Sequence, residues 1–527
     1  MSELEALRSA YSQGQVNRIA FIERARAIGV SSHAAEAWIG EMDATKPRKG
    51  GVLRFGNSGG SGSDNLNPRT ITDGVAGIAA YATYNLLVEI DDNGKAVPEL
   101  AESWSSNADA TQWLVDIRKG VTFHNGKTLI AEDVVYSLNL HRGKEISGAK
   151  GIVAGIREIK AAGKNRIEIS LDQPNADFAY VLSDYHLMIV PDGWKDWTRP
   201  IGTGAYVLDY FEPGVRGAGD RNLDYWKQGR GHADRYEIEV INDFEKRLAA
   251  LASGEFDLMN RVERNRVDFI KKHYPQLTVT RAPGGQNFVI LMMCDRPPFD
   301  NADVRRALKY AIDRKEIVDT VLNGYGTVGN DHPIPHYDRY FHSELPLRPY
   351  DPDKSRHYLK KAGLDGLSVE LATSSAAFTE APATADLYSR QAKRAGIDVK
   401  VARRKFEGYW DDVWMKEPFC MSFWGGRPTA DMMLSAIYES NADWNDTHWH
   451  APDFGKFLLE ARRTRNEEKR RAIYWRLQEM VHEDGGYIVP MFADFVDCIN
   501  KRIRGLSPSP AFELSSLRAA ERCWIDG

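Results

Sequence analysis

From residue 50 onward, short apolar runs alternate with stretches of helical period, and this alternation restricts the chain to an α/β fold more tightly than any single motif. Strands are expected at residues 52–56, 113–117, 166–170, 235–240, 287–292 and 488–492, and helices at 131–141, 243–253, 302–313, 353–362, 384–395 and 466–483. NADVRRALKYAIDRKEIV, beginning at Asn301, puts Val304, Ala307, Leu308, Ala311 and Ile312 on one helical face, with its basic residues outside. A chain of 527 residues outgrows one core, so two or three domains are expected. There is no repeat of 20–50 residues, and the short cluster GNSGGSGSDN after the first strand is a loop rich in free backbone N–H groups.

The 69 basic and 74 acidic residues give a net charge of −5 without long single-sign runs. That balance argues against a nucleic-acid partner, which would be held by released counterions, and favours a small molecule or a protein. Cys294, Cys420, Cys498 and Cys523 lie far apart with no CxxC spacing, so they read as isolated buried thiols rather than a zinc knuckle or a disulfide scaffold. No apolar run reaches the roughly 18 residues that cross a bilayer, so no membrane insertion is expected.

Residues 14–51 have the layout of an export signal without its chemistry. The candidate apolar core IAFIERARAIGVSSHAAEAWI contains Glu23, Arg24, Arg26 and Glu36, and one Arg18 stands where a twin-arginine pair would be. The segment resembles a degenerate twin-arginine signal kept as a helical extension over residues 1–48, with Ile19, Ile22 and Ala25 or Arg26 on one side. On this reading the segment is retained and the chain is cytoplasmic.

Three motifs invite a chemical reading and fall short of it. GNSGG (Gly56 to Gly60) fits the nucleophile-elbow pattern around Ser58, but the helix that should follow is pre-empted by Asn67–Pro68, so a flexible or ligand-contacting loop is the better reading. GVTFHNGKT (Gly120 to Thr128) has five residues between its glycines where a phosphate loop needs four. DTHWH places His448 and His450 two apart with no carboxylate at helical spacing, so no metal site is expected. The loop WGGRPTAD (Trp424 to Asp431) says more: Trp424 can stack on a ligand and Arg427 can offer a planar fork to a carboxylate or phosphate. The alternative is a core tryptophan and an internal ion pair.

AVPELAESW, DIRKGVTFHNGKTLIAEDVVYSL, IGTGAY, RNLDYW, ALASGEFDL, PFDNADVRRALKYAIDRKEIV and YDPDKSRHYLKKAG occur in this order between Ala96 and Gly363. Together they resemble the family 5 extracellular solute-binding proteins, the peptide, opine and nickel binders of ABC importers. The resemblance implies an α/β, two-lobed periplasmic-binding-protein fold of type II, in the large peptide-binder class, with an extra subdomain in the first lobe. On that pattern the first lobe takes residues 49–90, 200–283 and 497–527, the extra subdomain 91–199, and the second lobe 284–496. Carried over by position, the ligand cleft is expected to be lined by Asn57, Ser58 and Gly59, by Asp184, Tyr185 and His186, and by Trp424, Arg427, Trp444 and Asn445. Peptide binders of the family commonly place an aspartate just after that tryptophan to meet the peptide ammonium; here Arg427 stands instead, which favours an anionic or zwitterionic organic ligand. The expected function is solute binding for ABC-type uptake by a monomer, with an importer permease as partner and no cofactor. A cytoplasmic hydrolase on the same scaffold and a cytoplasmic ligand sensor are the alternatives, and no catalytic residue is assigned.

Overall fold

A computed structural model of the chain describes residues 3–12, 16, 18–32, 34–36, 38–39, 46–71, 74–92, 94–440 and 442–526. Each expected strand and helix is present, with ends moved by no more than three residues. They assemble into two lobes, each with its own sheet and core, and a four-stranded layer attached to the first.

The first lobe is a seven-stranded mixed sheet in the order Leu277–Ala282, Phe495–Asn500, Leu258–Met259, Val52–Asn57, Arg235–Val240, Arg216–Arg221, Tyr206–Glu212. Val52–Asn57 runs parallel to both of its neighbours, so its C-terminal end opens into loops rather than a hairpin. The second lobe is a six-stranded sheet in the order Gly326–Val328, Tyr487–Ala493, Asn287–Met292, Phe419–Trp424, Leu367–Thr373, Ile397–Arg403. Asn287–Met292 and Tyr487–Ala493 are buried along their whole length, as expected where helices cover both faces. The antiparallel strands Ala101–Ser106, Gln112–Ile117, Arg166–Leu171 and Ile156–Ala161 form the third layer, whose apolar residues join the core of the first lobe.

The helix Ala302–Tyr310 corrects the expected pattern. Val304, Ala307, Leu308, Ala311 and Ile312 are buried, but so are the basic residues Arg305 and Lys309. Both turn inward to the end of the long helix Glu467–Asp484: Arg305 Nε donates to the Asp484 carbonyl at 3.0 Å, and Lys309 Nζ to those of Val481 and His482 at 3.1 and 2.9 Å. The Val481 carbonyl also accepts the helix-capping Gly485 N–H at 2.9 Å; all three carbonyls lie in the last turn, at the negative end of the helix dipole, where buried cations complete them. The helix also stops before Asp313, whose side chain accepts from Glu316 N at 3.0 Å and starts the next helix, Arg314–Val321.

At the N-terminus, the helices Glu3–Ser12 and Arg18–Ala27 share a small core of their own. Phe21 and Ala25 pack with Leu7, Ala35 and Ile39, and Ile22 is half-buried. Ile19, expected on the apolar side, is 70% exposed, because the stripe that meets the neighbouring helix is centred on Phe21 and Ala25. The polar run 41–45 lies outside the described residues.

Candidate functional site

The chain crosses between the lobes at residues 283–286 and at Asp494, and the two crossings run side by side: Ala493 N donates to the Gln286 carbonyl at 2.9 Å. The first crossing requires glycine. A Cβ on Gly284 would lie 2.1 Å from the Ala493 carbonyl oxygen, and one on Gly285 would lie 2.2 Å from Tyr337 Oη and 3.0 Å from the Gly426 Cα. Gly426 is there because Phe419–Trp424 pairs antiparallel with Asn287–Met292, Trp424 opposite Asn287, and so ends at the hinge. The next residues, Arg427 and Pro428, lead to Thr429, whose hydroxyl caps the helix Ala430–Tyr438. Strand register and cap together place Arg427 at the mouth between the lobes.

A cavity of about 140 Å³ lies at this junction. The lobe and layer on one side contribute Tyr81, Glu89, Tyr180, Asp184, Tyr185, Phe512 and Arg518; the other lobe contributes Tyr337, Asp338, Arg339, Gly426 and Arg427. Tyr337 Oη donates across the cavity edge to the Pro510 carbonyl at 3.2 Å. Nearby, Asp177 of the attached layer accepts the guanidinium of Arg339, lies 3.0 Å from that of Arg470 and receives the Tyr340 hydroxyl at 3.3 Å. These bonds hold the two sides shut.

Charges on the first-lobe side are matched within that wall. Arg518 makes a two-pronged pair with Glu99 at 2.8 and 3.0 Å, meets Glu521 at 3.1 Å, and lies 4.5 Å from the centre of the Tyr81 ring. Glu89 pairs with Lys227 and, at 2.7 Å, with Arg522. Burial opposes the charge on Glu89, yet Arg518 and Lys227 outweigh it and hold this carboxyl well below the usual range. Asp184 pairs with His186 Nδ1 at 2.7 Å.

The second-lobe side differs. Arg427 forms no hydrogen bond or ion pair among the described residues; its guanidinium lies 5.8 Å above the Trp444 ring. Asp338 accepts one bond, from Tyr340 N at 2.7 Å, and no described cation lies within ion-pair distance. Burial pushes its carboxyl up to about 6.

One further wall segment is unusual in its backbone. Leu514, Ser515, Ser516 and Leu517 have φ of +50°, +59°, +59° and +63°, four consecutive non-glycine residues in the left-handed region. They are tied down by Asp497 Oδ2, which accepts from Leu514 N at 2.7 Å, by Ser515 Oγ donating to the Ser507 carbonyl at 2.7 Å, and by a Ser509–Ser516 hydroxyl contact of 2.5 Å.

Of the residues chosen from the sequence, Asp184, Tyr185 and Arg427 line the cavity. His186 stands behind Tyr185, their rings 3.9 Å apart. Trp424 is buried; its Nε1 donates to Tyr487 Oη at 3.0 Å and its ring packs between Trp414 and Trp444. The tryptophan beneath Arg427 is thus Trp444, 48% exposed, rather than Trp424. Asn445 turns back into its own loop, with Nδ2 donating to the Trp449 carbonyl at 2.9 Å. At the end of the first strand, Asn57 is fully buried with both amide atoms unbonded, Ser58 N donates to Asn260 Oδ1 at 2.9 Å, and Gly59 N donates to Asn242 Oδ1 at 3.0 Å. The sequence reading passed over Asp338, Arg339, Phe512 and Arg518. HYDRY, residues 336–340, was a visible signal for the first two, a dense aromatic and charged run in a loop.

The other motifs are occupied structurally. Lys127 pairs with Asp133, and Thr122 bridges Thr128 in a tight turn. His448 Nδ1 lies 2.9 Å from Asp295. Among the described residues no group of three metal-binding side chains comes together and no helix is long and apolar enough to cross a membrane.

Residues 95–446 match the family described as "Bacterial extracellular solute-binding proteins, family 5 Middle". Heme-binding protein A of Haemophilus influenzae is 26% identical over 84% of this chain and 88% of its own length. Di/tripeptide-binding protein 1 of Pseudomonas aeruginosa is 25% identical over 77% of this chain and 82% of its own. Among solved structures, the periplasmic binding protein DppA of Helicobacter pylori in complex with the peptide STSA superposes with a TM-score of 0.75 at 22% identity, covering 91% of this chain and 99% of the other.

Proposed function

The chain belongs to the bacterial extracellular solute-binding proteins of family 5, and from that premise we propose that it encloses a small organic ligand bearing a carboxylate or phosphate, for delivery to an ABC importer. The observation that carries this reading is Arg427, a permanently charged group at the cavity with no anion among the described residues to meet it. Its guanidinium is pre-positioned on the Trp444 face, so little side-chain freedom is lost when an anion docks. The relatives' names print haem and di- or tripeptides. A cavity of about 140 Å³ is near the roughly 150 Å³ that takes up a benzene, which suits an amino-acid-sized ligand better than either. Calorimetric titration with the ligand that co-purifies tests the reading. Arg427→Ala should weaken binding by about 2–5 kcal/mol, the cost of leaving the anion unpaired, and Arg427→Lys should recover only part because an ammonium lacks the fork. Unchanged affinity in Arg427→Ala overturns the proposal.

A cytoplasmic ligand sensor is the second reading, favoured by the N-terminal helices. A segment that buries Phe21, Ala25, Ala35 and Ile39 together behaves as folded structure. N-terminal sequencing of the protein from native cells separates the two: a chain retaining residues 3–39 in the cytoplasm supports the sensor, and a periplasmic chain starting near Thr45 supports delivery.

A further inference from the structure

We infer that Asp338 is a second recognition residue, one that pairs with a cationic group of the ligand, so that the cavity selects small zwitterions over acids and amines of the same body. The inference rests on the enclosed small ligand proposed above and adds the other half of its charge.

The acidic groups of the cavity are not equivalent. Glu89 is neutralised by Lys227 and Arg522, Asp184 is hydrogen-bonded to His186 Nδ1 at 2.7 Å, and Asp91 caps its own turn through Lys95 N at 2.8 Å. Asp338 lines the same space with one backbone bond and no cation among the described residues. Its sequence neighbour Arg339 does not neutralise it, because that guanidinium is held by Asp177 and lies 3.9 Å from the centre of the Tyr180 ring. An ionised carboxylate in such a wall is costly unless something pairs with it, and the upward shift of this carboxyl by burial expresses that cost. A ligand ammonium or guanidinium removes it. The aromatic lining, with Tyr337 and Phe512 among it, suits the same cation.

Asp338 and Arg427 are also joined through the fold. Asp338 follows Tyr337, Arg427 follows Gly426, and Tyr337 Oη packs against the Gly285–Gly426 contact at the hinge. Both charges come from one lobe and so keep a fixed separation whether the cleft is open or shut. A ligand carrying both an ammonium and a carboxylate answers both side chains; a ligand with one charge leaves the other side chain unmet.

The test uses three triplets that share an uncharged body and differ in charge: amino acid, amine and acid built on phenyl, isobutyl and methylthioethyl groups. Full-length protein stripped of ligand by unfolding and refolding is titrated with each, and wild type is compared with Asp338→Asn and Arg427→Gln, with thermal melts confirming that each variant folds. At least one amino acid should bind tenfold or more tightly than its amine and its acid. Asp338→Asn should weaken amino acid and amine at least tenfold and leave the acid within threefold. Arg427→Gln should weaken amino acid and acid and spare the amine. If Asp338→Asn changes all three members equally or none, or if wild type binds no member of any triplet, the inference is overturned. If Asp338→Asn behaves as expected while Arg427→Gln leaves the acids untouched, the anion-pairing reading fails and the cation subsite stands.

Discussion

The two walls of the interlobe cavity use their charged groups in opposite ways. In the first-lobe wall, Glu89, Glu99 and Glu521 face Lys227, Arg518 and Arg522, and each charge is answered by a neighbour in the same wall. In the second-lobe wall, neither Arg427 nor Asp338 has an ion-pair partner among the described residues: Arg427 rests on the Trp444 ring and Asp338 accepts only the Tyr340 N–H. The difference separates architecture from recognition: a buried ion pair completed inside one wall fixes that wall, and a charge left open at a cavity is available to a ligand.

The sharpest way to break this comparison is to truncate one arginine from each wall. Arg518→Ala leaves Glu99 and Glu521 buried without their guanidinium and should cost about 3–5 kcal/mol of stability in a urea titration. Arg427→Ala breaks no ion pair or hydrogen bond among the described residues and should stay within about 0.5 kcal/mol. Comparable losses in the two variants would erase the distinction.

Behind the walls, two buried titratable groups should move stability in opposite directions with pH. His332 has neither ring nitrogen bonded among the described residues, and burial, with His482 nearby, pushes it down to about 3. Unfolded histidine titrates near 6.5, so the unfolded chain takes up a proton that the fold refuses. This stability is present above about pH 6.5 and is lost as pH falls toward 3. Asp497 is the reverse case: burial, then the charge of Glu513, raises it to about 8. The fold keeps a proton that the unfolded chain releases near pH 4, so stability is present below about pH 4 and is lost as pH rises through 8. Relative to wild type, Asp497→Asn should gain roughly 2–4 kcal/mol between pH 5 and 8, and His332→Phe roughly 1–3 kcal/mol between pH 6.5 and 4.5. Parallel stability curves for variant and wild type would show that the group in question does not titrate as described.

The smallest expected effect concerns the support under Arg427. Trp444→Ala should weaken binding of a carboxylate ligand by about 0.5–1 kcal/mol, the value of a partly exposed cation–aromatic contact, with the melting temperature nearly unchanged. A loss as large as that of Arg427→Ala would instead make Trp444 a direct ligand contact.

The fold was legible because strand and helix periods are local: the run 301–318 announces its apolar face without reference to the rest of the chain. What the same run could not announce is that Arg305 and Lys309 point inward, because the carbonyls they complete belong to a helix about 170 residues later. The site was legible where one loop carries the chemistry, as at Asp184, Tyr185 and Arg427. It was illegible where a neighbouring element claims a side chain, as Tyr487 claims the Trp424 N–H. The first-lobe wall was hidden for a third reason: Phe512 and Arg518 come from the end of the chain, brought to the cavity by a sheet pairing of Phe495–Asn500 that no local pattern encodes.

The left-handed run from Leu514 to Leu517 stores strain in that wall. Each L-residue held in this conformation costs about 1–2 kcal/mol relative to its ordinary state, and here four in succession are restrained by the Asp497 carboxyl group, a few hydroxyls and backbone bonds such as Leu517 N to the Glu513 carbonyl at 2.8 Å. The segment resembles a wound spring under a catch. The relaxed form of this backbone lies downhill of the held one, so the side chains that tie it, Asp497 first among them, set the shape of this stretch of the cavity wall.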